Sequence, residues 1–249
     1  MATIRNYDEF IGLQTRYPRD LSNDFMMPSE IKARFDNGAI TAFADEMSLM
    51  IYERREGFSK LHFRLADISA RVPPHDGTLA AFLVYREDRP PGVAAAWLID
   101  QGFERQYSLT RHTATEIIGA PSSEGVVTAS AGEVYALVSR YFSAAGADMP
   151  CRDLFEAERS YCVRSDNGIA LGVMYDMGQT RIVAVSREAR GKGVGRRLCL
   201  AYAAVKLCEN KNHVFQEWIR PDNSASLAMY NSLGYLPEKI VSDCYTREG

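Results

Sequence analysis

Short runs of apolar and β-branched residues, separated by turn signals, predict β-strands in two regions of the chain. The first region predicts a three-strand meander with turns at Asp45-Glu46 and Glu56-Gly57. The second predicts another meander, in which Asp166-Asn167-Gly168 is a strong hairpin signal and Met177-Gly178 a weaker one. The predicted strands are Ile40–Ala44, Ser48–Arg55, Phe58–Ala66, Leu79–Arg86, Gln106–Thr113, Arg159–Arg164, Ile169–Tyr175, Thr180–Ser186, Val214–Arg220 and Lys239–Tyr245.

Helices are predicted where apolar residues recur with helical spacing or where capping signals occur. The clearest begins near Val194, where the apolar positions continue to Cys208 along one face. Ser130 and Glu133 form a capping-box pattern at the start of another helix. The helix with the capping box is predicted at Ala131–Ser143. The other predicted helices are Tyr7–Gln14, Pro28–Phe35, Pro90–Gln101 and Ser224–Leu233.

The order of these elements is similar in the two halves of the chain. Each half has a helix, a meander, a later strand, a short helix that ends in Gly-aromatic, and a final strand; Leu98–Phe103 parallels Tyr230–Tyr235. The small, polar segment Gly119–Thr128 predicts a domain boundary. We therefore expect an N-terminal domain at 1–118 and a C-terminal domain at 130–249, as distant repeats or as unrelated α/β domains that share turn chemistry.

Composition restricts the function classes. The 249 residues are 46% hydrophobic and carry a net charge of −3, which does not suggest a nucleic-acid-binding protein. Five cysteines without CxxC spacing and four scattered histidines give no metal signature and predict reduced thiols in a cytoplasmic protein. We find no signal peptide and no apolar run of membrane length, so no membrane partner is expected.

Positive charge is instead concentrated in a glycine-rich loop between a predicted strand and a predicted helix, at residues 187–197. Such a loop directs backbone N–H groups and the positive helix end at one point, which suits a pyrophosphate. A Walker loop is excluded because Gly191-Lys192 is followed by Gly193, and the dinucleotide fingerprint lacks its third glycine after Gly195. A basic turn that merely caps an ordinary helix stays open.

The remaining pattern, Arg-x-x-Gly-x-Gly at Arg190, Gly193 and Gly195, resembles the acetyl-CoA loop of the GNAT acyltransferases. A second motif follows 28 residues after Gly195, with Asn223, Tyr230 and Gly234 at the positions of the GNAT segment Asn-x-x-(Ala/Ser)-x-x-x-Tyr-x-x-x-Gly-(Phe/Tyr). The resemblance covers about residues 131–249. It implies an α+β, three-layer α/β/α fold with a mixed, largely antiparallel twisted sheet, and a degenerate GNAT-like N-terminal half without a cofactor.

The resemblance also implies a site for acetyl-CoA as co-substrate. The strand before the loop is expected to splay from its neighbour, and backbone groups of Val183 and Val185 would hold the pantetheine amides. The loop amides of Gly191 to Arg196 would hold the pyrophosphate, and the side chains of Arg190, Lys192, Arg196 and Arg197 would add positive charge. The implied binding residues are Val183, Val185, Arg190, Gly191, Lys192, Gly193, Val194, Gly195, Arg196 and Asn223.

Two residues are candidates for catalysis. Tyr230 occupies the family's tyrosine position and would give a proton to the CoA sulfur; the alternative is a packed ring with its hydroxyl bonded to backbone. Glu217 lies in the strand after the glycine helix, on one face with Phe215 and Ile219, and is a candidate general base. A paired or solvated strand carboxylate is the alternative for Glu217, and a bound water could serve as base.

The leading functional hypothesis is an N-acyltransferase that moves an acetyl group from acetyl-CoA to a primary amine by direct attack in a ternary complex. The alternative is a non-catalytic GNAT-fold module that binds CoA or another ligand and regulates a partner. A nucleotide-binding oxidoreductase is a weaker third. The acceptor, a small-molecule or peptide amine, is not identified by the sequence, and an oligomer is compatible with it.

Overall fold

A computed structural model describes residues 2–4, 6–14, 16–17, 21–23, 28–178 and 181–249. The strands are β1 (Ala2–Ile4), β2 (Ile40–Ala44), β3 (Ser48–Arg55), β4 (Phe58–Leu65), β5 (Leu79–Arg86), β6 (Glu104–Ala114), β7 (Ser160–Arg164), β8 (Ala170–Asp176), β9 (Arg181–Val185), β10 (Phe215–Ile219) and β11 (Leu236–Arg247). The helices are α1 (Tyr7–Gln14), α2 (Pro28–Asp36), α3 (Gly92–Asp100), α4 (Ala131–Val138), α5 (Ala144–Ala147), α6 (Val194–Glu209) and α7 (Ser224–Ser232), and short 3₁₀ turns lie among them.

Most predicted elements are confirmed, several of them with their bounds, but three differ. Strand β1 was not predicted. The helix expected to reach Ser143 ends at Val138, because the Ser143 hydroxyl accepts a hydrogen bond from the N–H of Gly146 at 3.1 Å and so begins a separate short helix. The last strand is longer than expected at both ends, and Thr180, the predicted first residue of β9, lies outside the described residues.

The chain divides into two compact units, Met1–Ser108 with Ile240–Gly249, and Leu109–Lys239. We call them unit 1 and unit 2. The expected single boundary was at 119–129. The chain instead changes unit twice, after Ser108 and after Lys239. The chain passes from unit 1 to unit 2 inside β6 and returns inside β11, so the last strand of unit 1 comes from the second half of the sequence.

The sheet of unit 1 is largely antiparallel, in the order β1-β2-β3-β4-β5 followed by the Ile240–Arg247 part of β11. Only β4 and β5 are parallel, and residues 66–78, all of them described, connect these two strands without a helix. Alternate residues of β3 face opposite layers. Leu49 and Ile51 pack with α1 and α2, whereas Met50 and Tyr52 pack in the cluster that contains Trp97 of α3.

Unit 2 contains a three-stranded antiparallel sheet in the order β7-β8-β9, covered by helices on both faces. Val173 and Tyr175 of β8 pack in the cluster of α4, while Met174 between them packs in the cluster of α6. A second antiparallel ladder joins β10 to the Leu109–Ala114 part of β6. The result is the predicted mixed α+β architecture, with mainly antiparallel strands flanked by helices.

In the part of the chain that the structure describes, no group of three or more His, Cys, Asp or Glu side chains is placed to hold a metal ion. The helices described there are also too short or too polar to cross a membrane. All five cysteines are free thiols, and four of them are buried.

Candidate functional site

The edge of β9 that faces away from β8 offers backbone groups that are not used in the ladder with β8. The N–H of Ser186 donates to the carbonyl of Leu171 at 2.8 Å, in the same antiparallel register that pairs Val185 with Gly172 and Val183 with Met174. Because hydrogen-bonded and non-hydrogen-bonded pairs alternate along an antiparallel ladder, Val183 and Val185 occupy non-hydrogen-bonded pairs. Their N–H and C=O groups therefore point outward, where an extended molecule can bind as an added strand does.

The glycine loop ends in a helix start that no side chain caps. Gly191 (φ 74°) and Gly193 (φ 76°) adopt left-handed conformations, and a Cβ built on either would meet no described atom within 4 Å. Gly193 is the N-cap of α6 and has no side chain to accept from the first turn. The N–H groups of residues 194–196 thus have no acceptor in the helix and are directed at the open space beside the loop.

Gly195 has a different reason to be glycine. A Cβ there would lie 2.8 Å from the Sδ of Met229 and 3.7 Å from Cγ2 of Val185. The absence of a side chain lets α7 and β9 approach the first turn of α6 closely. The two motifs found in the sequence therefore meet in space.

We expected the basic side chains of the loop to supply positive charge to an anion, but three of its arginines contact other parts of the protein. Arg190 stacks over the ring of Tyr141 at 4.5 Å, and its Nε donates to the Val185 carbonyl at 3.4 Å. Arg196 instead donates to the carbonyls of Ile118 and Ser232, at 2.8 and 3.2 Å. Arg197 donates to the Gly125 carbonyl at 3.3 Å. The guanidinium groups of Arg196 and Arg197 hold neighbouring segments, so only the backbone of Arg196 faces the loop.

A buried ion pair links β9 to β10. The Nε of Arg181 lies 2.6 Å from Oε1 of Glu217, the two side chains are 2% and 3% exposed, and the same guanidinium donates to the Gln216 carbonyl. Burial by itself would lower the pKa of Arg181, but Glu217 outweighs it and the pKa lies well above its ordinary value. Burial raises the pKa of Glu217, and Arg181 opposes that shift. The Tyr202 ring lies 4.2 Å beneath the guanidinium carbon.

Tyr230 lies in the same buried cluster. Its ring packs edge-on to Tyr235 with centroids 5.1 Å apart, and Cys199 and Glu217 lie near enough to add to the rise in the pKa of its hydroxyl. The structure thus brings together Tyr230 and Glu217, the two residues that the sequence singled out for chemistry. It also places Glu217 in a pair with Arg181, which was the alternative interpretation of that carboxylate.

The two strands nearest the glycine loop, β9 and β10, are not hydrogen-bonded to each other as a ladder. β9 belongs to the β7-β8-β9 sheet, whereas β10 pairs with β6. This is the splayed arrangement that the resemblance implied, and the Arg181 side chain spans it. Asn223, predicted as a binding residue and as an N-cap, caps α7 by accepting from the N–H of Ser226 at 3.1 Å.

Sequence reasoning missed three residues of this site. Arg181 stands at the start of an otherwise apolar strand, and a charge in such a place is a signal for a buried partner. Cys199 was predicted only as one of five reduced thiols. Tyr141, whose hydroxyl accepts from the N–H of Arg187 at 2.9 Å while its ring supports Arg190, has no signal that distinguishes it from other aromatic residues.

The sequence of residues 133–235 matches the model of the acetyltransferase (GNAT) family. This segment is a GNAT domain. It contains α4, the β7-β8-β9 sheet, the glycine loop, α6, β10 and α7, and so includes every residue of the buried cluster. The family carries out acyl transfer, and its fold binds acyl-CoA. The chain matches no sequence among curated proteins.

Solved structures share the fold of the whole chain at low sequence identity. A putative acetyltransferase from Pyrococcus horikoshii is similar over 100% of this chain and 89% of its own, with 11% identity and a TM-score of 0.60. A putative GNAT-family acetyltransferase from Novosphingobium aromaticivorans is similar over 86% and 93%, with 16% identity and a TM-score of 0.56. A tandem GNAT protein from the clavulanic acid biosynthesis pathway covers 84% and 83%, with 17% identity and a TM-score of 0.51. The last likeness is consistent with a degenerate GNAT-like N-terminal half beside the GNAT domain.

Proposed function

We propose that this protein is an N-acyltransferase that moves an acetyl group from acetyl-CoA to a primary amine of a small molecule or peptide. One observation carries the proposal. The free edge of β9 leads directly into the uncapped start of α6, within the GNAT domain. The first feature suits a chain of amides and the second suits a pyrophosphate, and CoA contains both in that order.

The geometry of the loop and of β9 supports a binding role for each of the following residues. The outward backbone groups of Val183 and Val185 receive the pantetheine amides, and the N–H groups from Gly191 to Arg196 receive the pyrophosphate. Lys192 adds charge at the exposed loop, and Arg190 supports the loop from its place on Tyr141. Asn223 contributes indirectly, because it caps the helix that carries Tyr230.

The reaction is a direct displacement. The lone pair of the neutral amine forms a C–N bond with the thioester carbon, the C–S bond breaks, and the electron pair leaves with sulfur. The amine proton passes to a base, either Glu217 or a bound water, and Tyr230 donates its hydroxyl proton to the departing sulfur. The protein also holds both substrates in one geometry, which replaces a bimolecular encounter.

The first test compares two glycine variants with equal backbone strain. Gly193→Val is expected to weaken acetyl-CoA binding tenfold or more, because a Cβ beside the loop obstructs the approach of phosphate to the backbone. Gly168→Val is the matched control: Gly168 (φ 78°) also has open space at its Cβ but lies in the hairpin before β8. Calorimetry at 25 °C measures both. One acetyl-CoA is expected per chain, because the described connection 66–78 in unit 1 contains no helix that could follow such a loop.

Equal affinity of the wild type and a folded Gly193 variant would contradict the proposed CoA site. Equal losses in both variants would show that strain, and not the loop, is responsible. Turnover is tested separately, by thiol release from acetyl-CoA with a panel of small amines and peptide amines. We place the reaction in the cytoplasm, since five free thiols suit a reducing compartment.

A further inference from the structure

The gap between β9 and β10 is closed at one end by the Arg181–Glu217 pair. Arg181 is the first residue of β9, and its guanidinium reaches both the carboxylate of Glu217 and the carbonyl of Gln216 on β10. Both side chains are almost completely buried. The bridge is therefore a fixed part of the interior and not a mobile surface contact.

The glycine loop lies at the opposite end of the same strand. Val185 is the last residue of β9, four residues from Arg181, which corresponds to about 13 Å along a strand. A molecule that is anchored by its pyrophosphate at the loop and extends along the free edge passes Val185 and then Val183. The next side chain in its path is Arg181.

Tyr230 marks where the reacting thioester would lie on that path. Tyr230 packs in one buried cluster with Phe215 and Ile219, which flank Glu217 on the same face of β10, and with Tyr202, whose ring lies against Arg181. The proposed proton donor therefore lies beside the bridge. A sulfur atom within hydrogen-bond reach of Tyr230 leaves only a short distance between the acyl carbon and the bridge. The room for an acyl chain beyond the carbonyl is then limited by two charged side chains that cannot separate without leaving a buried charge unpaired.

We propose that the Arg181–Glu217 pair is the floor of the acyl pocket and restricts the donor to short acyl groups. The inference rests on the proposed function, and it assigns these residues to donor specificity by steric exclusion. An acetyl group is expected to end short of the bridge, whereas a long chain such as hexanoyl is expected to reach it. Since one misplaced methylene is worth roughly 10–200-fold, hexanoyl-CoA is expected to bind at least tenfold more weakly than acetyl-CoA.

The experiment titrates the full chain with free CoA, acetyl-CoA, butanoyl-CoA and hexanoyl-CoA by calorimetry, without an amine. Two double variants separate volume from charge. Arg181→Ala with Glu217→Ala removes both charges together and opens space, so hexanoyl-CoA is expected to bind as well as acetyl-CoA. Arg181→Met with Glu217→Gln removes the charges but keeps the volume, and is expected to discriminate as the wild type does.

Equal wild-type affinities for acetyl-CoA and hexanoyl-CoA would overturn the inference while the proposed CoA site stands. So would an alanine pair that folds, by circular dichroism, and still rejects hexanoyl-CoA. If the double alanine variant does not fold, Arg181→Met with Glu217→Ala opens a smaller space and is expected to bind butanoyl-CoA more tightly than the wild type does. Unchanged affinity for butanoyl-CoA would contradict the proposal that the pair is the floor of the pocket. Failure of the wild type to bind free CoA or acetyl-CoA would instead reject the proposed function.

Discussion

The hydroxyl of Tyr230 stays protonated over any physiological pH. Burial raises the pKa of Tyr230 well above its ordinary value, and Cys199 and Glu217 add to the shift. A phenol in this state is a poor acid towards water. It becomes an effective proton donor only when a stronger base, such as a departing thiolate, forms beside it. The burial that protects the proton therefore also restricts where it can go.

Tyr230→Phe is expected to lower kcat by roughly 10²–10⁴-fold, because it removes the proposed donor and keeps the ring. The KM for acetyl-CoA should change little. Tyr235→Phe is the control, since Tyr235 is a buried neighbour whose ring packs on Tyr230. Steady-state thiol release, with an amine found in the panel, measures both. A Tyr230 variant as active as the Tyr235 variant would assign Tyr230 to packing alone.

For single residues, the sequence predicted those that belong to motifs and missed those whose role depends on a partner far away in the chain. Gly193 and Tyr230 were recognised because their neighbours in sequence establish the pattern. Arg181 pairs with Glu217, 36 residues further on, and nothing local indicates that contact. For Arg196 the motif predicted the backbone role, but not that its side chain would bind carbonyls at Ile118 and Ser232.

Three elements of unit 1 are joined by one buried carboxylate. Glu53 of β3 lies 3.0 Å from Arg55 on its own strand and 3.1 Å from His62 of β4, and it also pairs with Arg34 of α2. Burial alone would raise the pKa of Glu53. Arg55, His62 and Arg34 outweigh that effect and hold the pKa well below its usual range.

Because the folded pKa of Glu53 lies below the unfolded value of about 4.3, its stabilisation is present above that pH and is lost as pH falls towards the folded pKa. Glu53→Gln should cost about 3 kcal/mol of unfolding free energy at pH 7, since it leaves buried cations without their carboxylate. The difference from wild type should shrink between pH 5 and pH 3. Urea unfolding at several pH values measures it.

Glu87→Gln serves as the control, because Glu87 is exposed in the turn after β5. Its unfolding free energy should follow that of the wild type at every pH. A constant difference between Glu53→Gln and wild type down to pH 3 would mean that the carboxylate has no depressed pKa.

Element bounds were predicted well where turn chemistry is unambiguous. Asp166-Asn167-Gly168 forms the expected hairpin, with Gly168 left-handed, and β2, β3 and β5 have the predicted limits. The end of α4 was missed because the apolar spacing continues past Val138, whereas Ser143 competes for a new helix start. Such competition depends on which backbone N–H the hydroxyl reaches, and the sequence does not contain that information.

On the scale of the whole molecule, the segment expected to be a linker belongs to unit 2. Leu109–Ala114 supplies the ladder partner of β10, and the N–H of Ile118 donates to the Leu233 carbonyl at 3.0 Å. Val127 forms an isolated bridge with Cys162, and Gly125 accepts from Arg197. Small and polar residues suggested a domain boundary, but several backbone groups between Ile118 and Val127 are paired within unit 2.

Two fragments test this assignment. The fragment 109–249 keeps all of unit 2 and is expected to unfold cooperatively on heating. The fragment 130–249, which matches the expected domain, lacks the partner strand of β10, the Ile118 carbonyl that binds Arg196 and the Gly125 carbonyl that binds Arg197. It is expected to show no cooperative transition by circular dichroism and no affinity for acetyl-CoA. Cooperative melting of the shorter fragment would restore the boundary at 119–129.

The position of Ile240–Arg247 in unit 1 also sets an order of events during synthesis. Eight residues of β5 pair with a strand that is more than 150 residues further along the chain and is therefore synthesised later. Until then Leu79–Arg86 is an open, mostly apolar strand edge, the kind that pairs with the wrong chain. The closing strand of one nascent chain can dock on another, so the same feature that finishes the fold is a route to strand-swapped dimers when synthesis is crowded.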